Sequence, residues 1–146
     1  MGSEPYIERE LSFEDWKGLR EVHRRVAHLP FCEQVVAYMD YWQWDATDFI
    51  CETGLPSSRH SEIIHGKRKA LQADSIMAIC KGLRLSLRQA EDLFRAARLA
   101  LSESEDEHFL YLLEANPGWS LEDSNAFLAD MGQPELGGKT KQIARF

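Results

Sequence analysis

Residues 45–71 read DATDFICETGLPSSRHSEIIHGKRKAL, and this stretch has the layout of two short helices joined by a tight turn. Asp45 suits the N-cap of the first helix, because its carboxylate can accept a hydrogen bond from the first turn. Gly54 is expected to end that helix, since glycine adopts a positive φ readily. Pro56 fits the first turn of the next helix, where no N–H is needed. Such a pair is the unit that lays its second helix in the major groove of DNA.

The two helices are predicted over 46–53 and 57–65. Apolar residues recur on one face of each helix, and we expect that face to be buried. These residues are Phe49, Ile50, Ile63 and Ile64. Gly66 is expected to end the second helix, and three basic residues follow it at once.

The rest of the chain shows helical periodicity and no strand signals. Helices are predicted to begin after Ser12, Ser86 and Ser120, each of which can act as an N-cap. The segment 116–118, Asn-Pro-Gly, is predicted to break a helix. The expected fold is all-α, with about seven or eight helices in one unit. Its core is expected to be led by Val35, Met39, Phe49, Ile63, Ile76, Ile79, Leu93 and Phe94.

Further helix faces and ends can also be predicted. An apolar stripe near the N-terminus recurs at helical spacing and predicts a first helix, which Pro30 closes. Its members are Trp16, Leu19, Val22 and Val26. The helix that carries Ile76 and Ile79 is expected to end near Gly82. The acidic run SESEDE at 102–107 is expected to be a loop or the start of a helix at about 105–115, since negative charge favours a helix N-terminus.

Composition restricts the class of protein. The chain has 146 residues and 44 % hydrophobic residues, which is enough to bury a core. It has no apolar run long enough to span a bilayer and no charged-then-apolar leader, so a cytoplasmic protein without membrane contact is expected. Its formal net charge of −7 opposes tight non-specific binding to DNA, because phosphate neutralisation drives that binding.

The cysteines and histidines do not form a recognisable chemical site. Cys32, Cys51 and Cys80 are far apart and are expected in or near the core rather than in disulfides. The spacing of His60 and His65 is not that of metal ligands, so no metal or cofactor is expected. The sequence also lacks a Gly-rich phosphate loop, a nucleophile elbow and a His-Glu-x-x-His motif, so no catalytic residue and no enzyme activity are expected.

The turn, the polar positions of the second motif helix and the apolar positions that follow it form one pattern. Its members are Thr53, Gly54, Leu55, Ser58, Ser61, Ile63, Gly66, Lys67, Arg68, Lys69, Ile76, Ile79, Leu83, Leu87 and Leu93. Through them, residues 35–94 resemble the Cro and phage-repressor class of helix-turn-helix domains, also called the XRE class. The resemblance implies a lambda-repressor-like bundle of five helices that binds double-stranded DNA and regulates transcription. Residues 12–138 are also similar to a helical module found in Firmicutes, through Ala90–Leu93, Leu101–Ser102, Ser124–Ala126 and Gln133–Gly137.

The resemblance assigns DNA contacts to particular residues of the motif. Base-edge contacts are expected from Ser57, Ser58, Ser61 and Glu62, and phosphate or groove contacts from Arg59, Lys67, Arg68 and Lys69. Serine hydroxyls discriminate poorly between bases, whereas Glu62 can accept a hydrogen bond from cytosine N4. His60 stands where the class normally buries Ile or Val, so it is expected at the edge of the core, with a pH-linked contact to Glu62 or a phosphate as the alternative.

The charges of the motif leave a second function class open. Between residues 45 and 70, the basic residues only balance the acidic ones. The basic residues are Arg59, Lys67, Arg68 and Lys69, and the acidic ones are Asp45, Asp48, Glu52 and Glu62. A neutral motif gains little from counterion release. The alternative is therefore an acidic protein-interaction module, or adaptor, that keeps the helix-turn-helix fold without binding DNA.

The sequence predicts four segments and a route to assembly. They are an N-terminal helical arm at 1–31, an XRE-like domain at 32–101, a C-terminal extension packed on it at 102–138, and a mobile tail at 139–146. A homodimer is expected, because proteins of this class usually bind paired half-sites. The contact is expected from the first helix or from the helices between 105 and 131, unless those two regions pack on each other. The residues concerned are Trp16, Leu19, Phe109, Leu113 and Phe127.

Overall fold

All the regular structure in the computed structural model is helical, and the residues that it describes are 11–67 and 71–137. The helices are α1 (Phe13–Val26), α2 (Phe31–Trp42), α3 (Ala46–Thr53), α4 (Ser57–Ile64), α5 (Ala73–Leu83), α6 (Leu87–Ala96), α7 (Glu107–Leu110) and α8 (Leu121–Asp130). A π-helical turn, Tyr111–Ala115, continues directly from α7. The all-α prediction is confirmed for these residues. The predicted mobile tail at 139–146 lies outside them.

Local capping decides where three of the helices begin. Ser12, Ser86 and Ser120 each accept a hydrogen bond from the backbone N–H three residues further on, as predicted. These bonds satisfy N–H groups of the first turn that have no partner inside the helix. At α6 the cap is reciprocal, because the Gln89 side chain also accepts from the Ser86 N–H at 2.9 Å.

The predicted core is confirmed in full. The eight residues expected to lead it are 0–2 % exposed. Helix α2 lies at the centre of the bundle and contacts α1, α4, α5 and α6, while α3 packs against α4 and α5. A hydrogen bond of 2.6 Å between His23 and Asp92 joins α1 to α6.

The helix end predicted near Gly82 is confirmed to within one residue. Gly82 lies inside α5, which continues to Leu83 and is closed by Arg84 at φ +63°. Gly82 is needed for another reason: a Cβ atom there would lie 2.7 Å from the carbonyl oxygen of Glu52 on α3. The glycine therefore lets α3 and α5 approach closely, and a pair of backbone hydrogen bonds around Arg84 ends the helix.

Two apolar residues, on α1 and α4, are exposed, and the exposure of Ile64 contradicts its predicted burial. Trp16 is 46 % exposed, because it lies about 90° around α1 from the centre of the Leu19, Val22 and Val26 stripe. Ile64 is 44 % exposed, since the buried side of the short helix α4 is centred on its neighbour Ile63.

Two further expectations about single residues need correction. Cys51 is exposed on α3, whereas the other two cysteines are buried as expected. Pro56 occupies the N-cap position of α4 rather than its first turn, with φ −72° and ψ 163°. Its ring is compatible with that position, because the φ angle lies in the range that proline imposes.

Buried polar contacts join the C-terminal helices to the rest of the bundle. Helix α8 packs on α5, and the π-helical turn packs on α6. The ammonium group of Lys81, on α5, is fully buried and donates to the carbonyl oxygens of Leu112 and Asn116, at 2.7 Å each. Both carbonyls belong to the end of the π-helical turn, where intrahelical partners run out. The main contacts of α1 are instead with α2, on another side of the bundle.

Candidate nucleic-acid interface

The turn between α3 and α4 is built from local hydrogen bonds. Asp45 and Asp48 form a reciprocal capping box at the start of α3, with both hydrogen bonds at 2.9 Å. Gly54 ends α3 at φ +71°, as predicted, and its N–H donates to the carbonyl of Ile50. The Thr53 hydroxyl donates to the Phe49 carbonyl at 2.6 Å and accepts from the Leu55 N–H at 3.2 Å. These hydrogen bonds therefore hold the backbone between α3 and α4 in one conformation.

A few apolar contacts hold α4 against the rest of the bundle. Ile63 is 2 % exposed and Leu55 is 7 % exposed. His60 is half-buried, and its ring centroid lies 5.3 Å from that of Phe49 on α3. This placement agrees with the expectation of a histidine at the edge of the core. The burial of Ile63 and His60 also fixes the rotation of α4 about its own axis, so that the face opposite these two residues points to solvent.

The outward face of α4 carries three hydroxyl groups. Ser57, Ser58 and Ser61 are all exposed, and each was assigned to base-edge contact from the sequence. The imidazole Nδ1 of His65 lies 2.8 Å from the Ser61 carbonyl oxygen and 3.4 Å from its hydroxyl oxygen. His65 was not among the residues predicted for the site, although its spacing of four from Ser61 on a helix was a usable signal.

Two of the predicted DNA-contact residues are paired with each other. Arg59 donates to the Glu62 carboxylate at 3.0 Å, and their side chains are 34 % and 21 % exposed. In this arrangement neither group is directed freely at a ligand. Opening a partly exposed ion pair costs only about 0–1 kcal/mol, so a phosphate or a base edge can compete for either partner.

Of the basic residues predicted at the C-terminal end, or exit, of α4, only Lys67 lies within the described residues. Gly66 has φ +68°, and the Lys67 N–H donates to the Glu62 carbonyl at 2.8 Å, which closes the helix. Lys67 is exposed at this end. Arg68 and Lys69, which were also expected to contact phosphates, lie outside the described residues.

The start of α3 carries negative charge. Hydrogen bonding from the Asp48 N–H lowers the pKa of Asp45, although some desolvation opposes the shift. Asp45 therefore stays ionised at neutral pH. In a helix-turn-helix the first motif helix crosses the DNA backbone, where carboxylates repel phosphates. The interface is consequently asymmetric, with acidic groups at the start of α3 and Lys67 at the end of α4.

No family model, curated protein or solved structure matches the chain. Within residues 11–67 and 71–137, no three His, Cys, Asp or Glu side chains are grouped so as to hold a metal ion. In the same part of the chain, every helix is too short or too polar to cross a membrane.

Proposed function

We propose that this protein binds double-stranded DNA through α3 and α4, with sequence preference, and acts in transcriptional control. The observation that carries the proposal is the orientation of α4. Its buried side is held by Ile63 and His60, and its outward side presents Ser57, Ser58 and Ser61. A short helix fixed in this way after a glycine turn is the arrangement that enters a major groove.

The order of helices supports the finer assignment to a lambda-repressor-like bundle. From α2 to α6 there are five consecutive helices, and α3 and α4 are the second and third of them. The resemblance to the XRE class implies the same order, with the motif in the same place. In this assignment α2, α5 and α6 form the scaffold that supports the motif.

The proposed contacts divide into two kinds. Ser57, Ser58 and Ser61 contact base edges, and Glu62 accepts from cytosine N4 when its bond to Arg59 opens. Phosphate contacts come from the basic exit of α4 and from Arg59 once it is released. The exit residues are Lys67, Arg68 and Lys69. Base contacts set sequence preference, whereas phosphate contacts set affinity and position.

Charge reversal at the exit of α4 tests the phosphate contacts. Lys67→Glu with Lys69→Glu should weaken binding to all duplexes and make the slope of log K against log salt shallower, by about one for each phosphate that the variant no longer neutralises. Fluorescence anisotropy with duplexes of mixed sequence measures both effects. Arg88→Glu with Arg95→Glu on α6 is the control, because it changes the net charge equally at exposed positions outside the motif and outside α1. An equal weakening in both variants would contradict a contact by the α4 exit.

Changes on the outward face of α4 test the base contacts. Ser57→Ala or Glu62→Gln should alter the preference between duplexes by about 1–3 kcal/mol at one position, with little change in the salt dependence. Selection from a random duplex library, followed by sequencing, reports the preference of each variant. Identical preferences in the variants and the parent chain would remove these residues from the reading surface.

A protein-interaction module is the second candidate, and an exposed aromatic pair on α1 favours it. Phe13 and Trp16 are 64 % and 46 % exposed, with ring centroids 5.9 Å apart. The Lys17 ammonium lies 4.8 Å from the Phe13 ring centroid, and the Arg20 guanidinium lies 5.1 Å from that of Trp16. Aromatic and arginine side chains are enriched at protein interfaces.

A capture experiment separates the two functions. The protein is used as bait in native cell extract after nuclease treatment, beside a Trp16→Ser variant. A stoichiometric partner that no longer binds Trp16→Ser, together with an absence of DNA binding, would favour the adaptor. DNA binding by the parent chain, without such a partner, favours the helix-turn-helix proposal.

A further inference from the structure

A cavity lies where the C-terminal ends of three helices meet the start of α1. It has a volume of about 250 Å³, and its lining includes Asp15 on α1, Trp42 and Trp44 at the end of α2, Glu52 near the end of α3, and Arg84 just beyond α5. Since a water molecule in the liquid takes about 30 Å³, the cavity has room for about eight waters, or for one small organic molecule. Its lining residues come from elements other than α4, so the cavity is separate from the face that carries the proposed base contacts.

Two indole rings form the apolar wall of the cavity. Trp42 and Trp44 are both half-buried. The ring N–H of Trp42 donates to the Leu83 carbonyl at 3.0 Å. The Trp44 ring packs edge to face with Phe49, with ring centroids 6.5 Å apart. Because contacts outside the cavity hold both rings, they form a fixed wall that suits an apolar or aromatic group.

Charged groups of both signs complete the lining. The Asp15 carboxylate is held by the Tyr41 hydroxyl, which donates to it at 2.7 Å. Among the residues that the structure describes, the side chains of Glu52 and Arg84 take part in no hydrogen bond or ion pair, although both line the cavity. Both are half-buried, so water screens them less than it would at an open surface. Unpaired charges of opposite sign around one cavity fit a small molecule that itself carries both signs.

We propose that this cavity binds an apolar α-amino acid in its zwitterionic form. The Arg84 guanidinium pairs with the ligand carboxylate, because its planar fork of N–H donors matches the two oxygen atoms. Asp15 and Glu52 accept hydrogen bonds from the ligand ammonium group, and the ligand side chain packs against the two indole rings. The site does not depend on the proposed DNA binding, since ligand binding is measured on the protein alone.

Isothermal titration calorimetry of the full chain tests the ligand class. The probes are L-leucine and L-phenylalanine, beside analogues that each lack one feature. Hydrocinnamate lacks the ammonium group, phenethylamine lacks the carboxylate, and glycine lacks the apolar side chain. Each analogue should bind at least about tenfold more weakly than L-phenylalanine, because it loses a charged hydrogen bond or the contact with the indoles. Absence of binding by both amino acids at millimolar concentration overturns the proposal, as does equal affinity for L-phenylalanine and its two phenyl analogues.

Neutral variants of the two unpaired charges test their roles. Arg84→Gln and Glu52→Gln should each weaken L-phenylalanine binding at least about tenfold, whereas Arg88→Gln and Glu91→Gln, which make the same charge changes at exposed positions on α6, should stay within about threefold of the parent chain. In Arg84→Gln the preference for L-phenylalanine over phenethylamine should also fall below about threefold, because the ligand carboxylate has lost its partner. A folding defect would weaken both ligands alike and leave their ratio unchanged. Unchanged affinity in both cavity variants, or an equal loss in the α6 variants, overturns the proposal.

Discussion

At the scale of single residues, Lys81 is the least expected feature of the fold. A fully buried lysine usually requires a carboxylate partner, but here two backbone carbonyl oxygens accept its hydrogen bonds at 2.7 Å. Burial lowers the pKa of Lys81 to about 7, with Cys80 and Asp123 opposing the shift and Arg84 adding to it. The buried positive charge therefore destabilises the folded chain at low pH. Deprotonation of the ammonium group at higher pH removes this destabilisation.

The buried Lys81 should make the stability of the folded chain depend on pH. Between about pH 7 and 9 the unfolded chain keeps the proton on Lys81, with a pKa near 10.5, while the folded chain releases it. Stability should therefore rise with pH across this window, by up to about 1 kcal/mol per pH unit. Above pH 9 the Cys80 thiol acts in the opposite direction, because burial raises its pKa to about 12.

Urea unfolding at pH 7, 8 and 9 measures this effect. Lys81→Gln is the comparison, because it keeps an amide donor for the carbonyl oxygens but does not titrate. The difference in free energy of unfolding between the parent chain and the variant should increase with pH. Equal pH slopes in the two proteins would contradict the assignment of a depressed pKa to Lys81.

At the scale of helices, the close approach of α3 and α5 determines how a substitution of Gly82 should change stability. Gly82→Ala would relieve the low helix propensity of glycine, which alone is worth about 1 kcal/mol of stabilisation. The added methyl group would, however, lie 2.7 Å from the Glu52 carbonyl oxygen. We expect the contact to dominate, with a net destabilisation of about 1–2 kcal/mol.

Chemical denaturation of Gly82→Ala checks this expectation. A stabilised Gly82→Ala variant would mean that α3 and α5 are not in close contact.

Helix starts could be predicted from the sequence because capping is local. Ser12, Asp45, Ser86 and Ser120 bond to residues three positions away, so the signal is complete within one turn. The end of α3 at Gly54 was predicted from the same kind of local signal, whereas exposed faces and close approaches between helices depend on distant residues. The packing role of Gly82 is set by Glu52, thirty positions away in the chain, so the sequence alone could not show it.

In the candidate site, too, some features could be predicted from local sequence and others depended on distant residues. The serines of α4 were assigned from the family resemblance, and all three are exposed in the structure. The pairing of Arg59 with Glu62 has a spacing of three and could have been anticipated on a helix. The contact of Gly137 with the motif turn could not, because it depends on the path of the whole C-terminal extension.

At the scale of the molecule, the exposed surface narrows the region that can form a dimer contact. Of the residues expected to form it, Leu19 and Leu113 are buried within the chain, and Phe109 and Phe127 are half-buried. Trp16 remains exposed beside Phe13. A dimer on paired half-sites is therefore expected to use the outer face of α1, and Trp16→Ser should convert it to a monomer.

Sedimentation velocity at micromolar concentration, with and without a duplex, measures this change. The matched control is Met131→Ser, which replaces another exposed apolar residue at the end of α8. The control should leave the sedimentation coefficient unchanged. A parent chain that stays strictly monomeric even with a specific duplex would contradict the dimer and give more weight to the adaptor.

The central claim is that the α3–α4 motif binds DNA, and titration of the unmodified chain into labelled mixed-sequence duplex at low salt tests it most directly. The account predicts a rise in fluorescence anisotropy at micromolar protein, with log K falling linearly as log salt increases. No binding at that concentration, or binding that does not depend on salt, would contradict it.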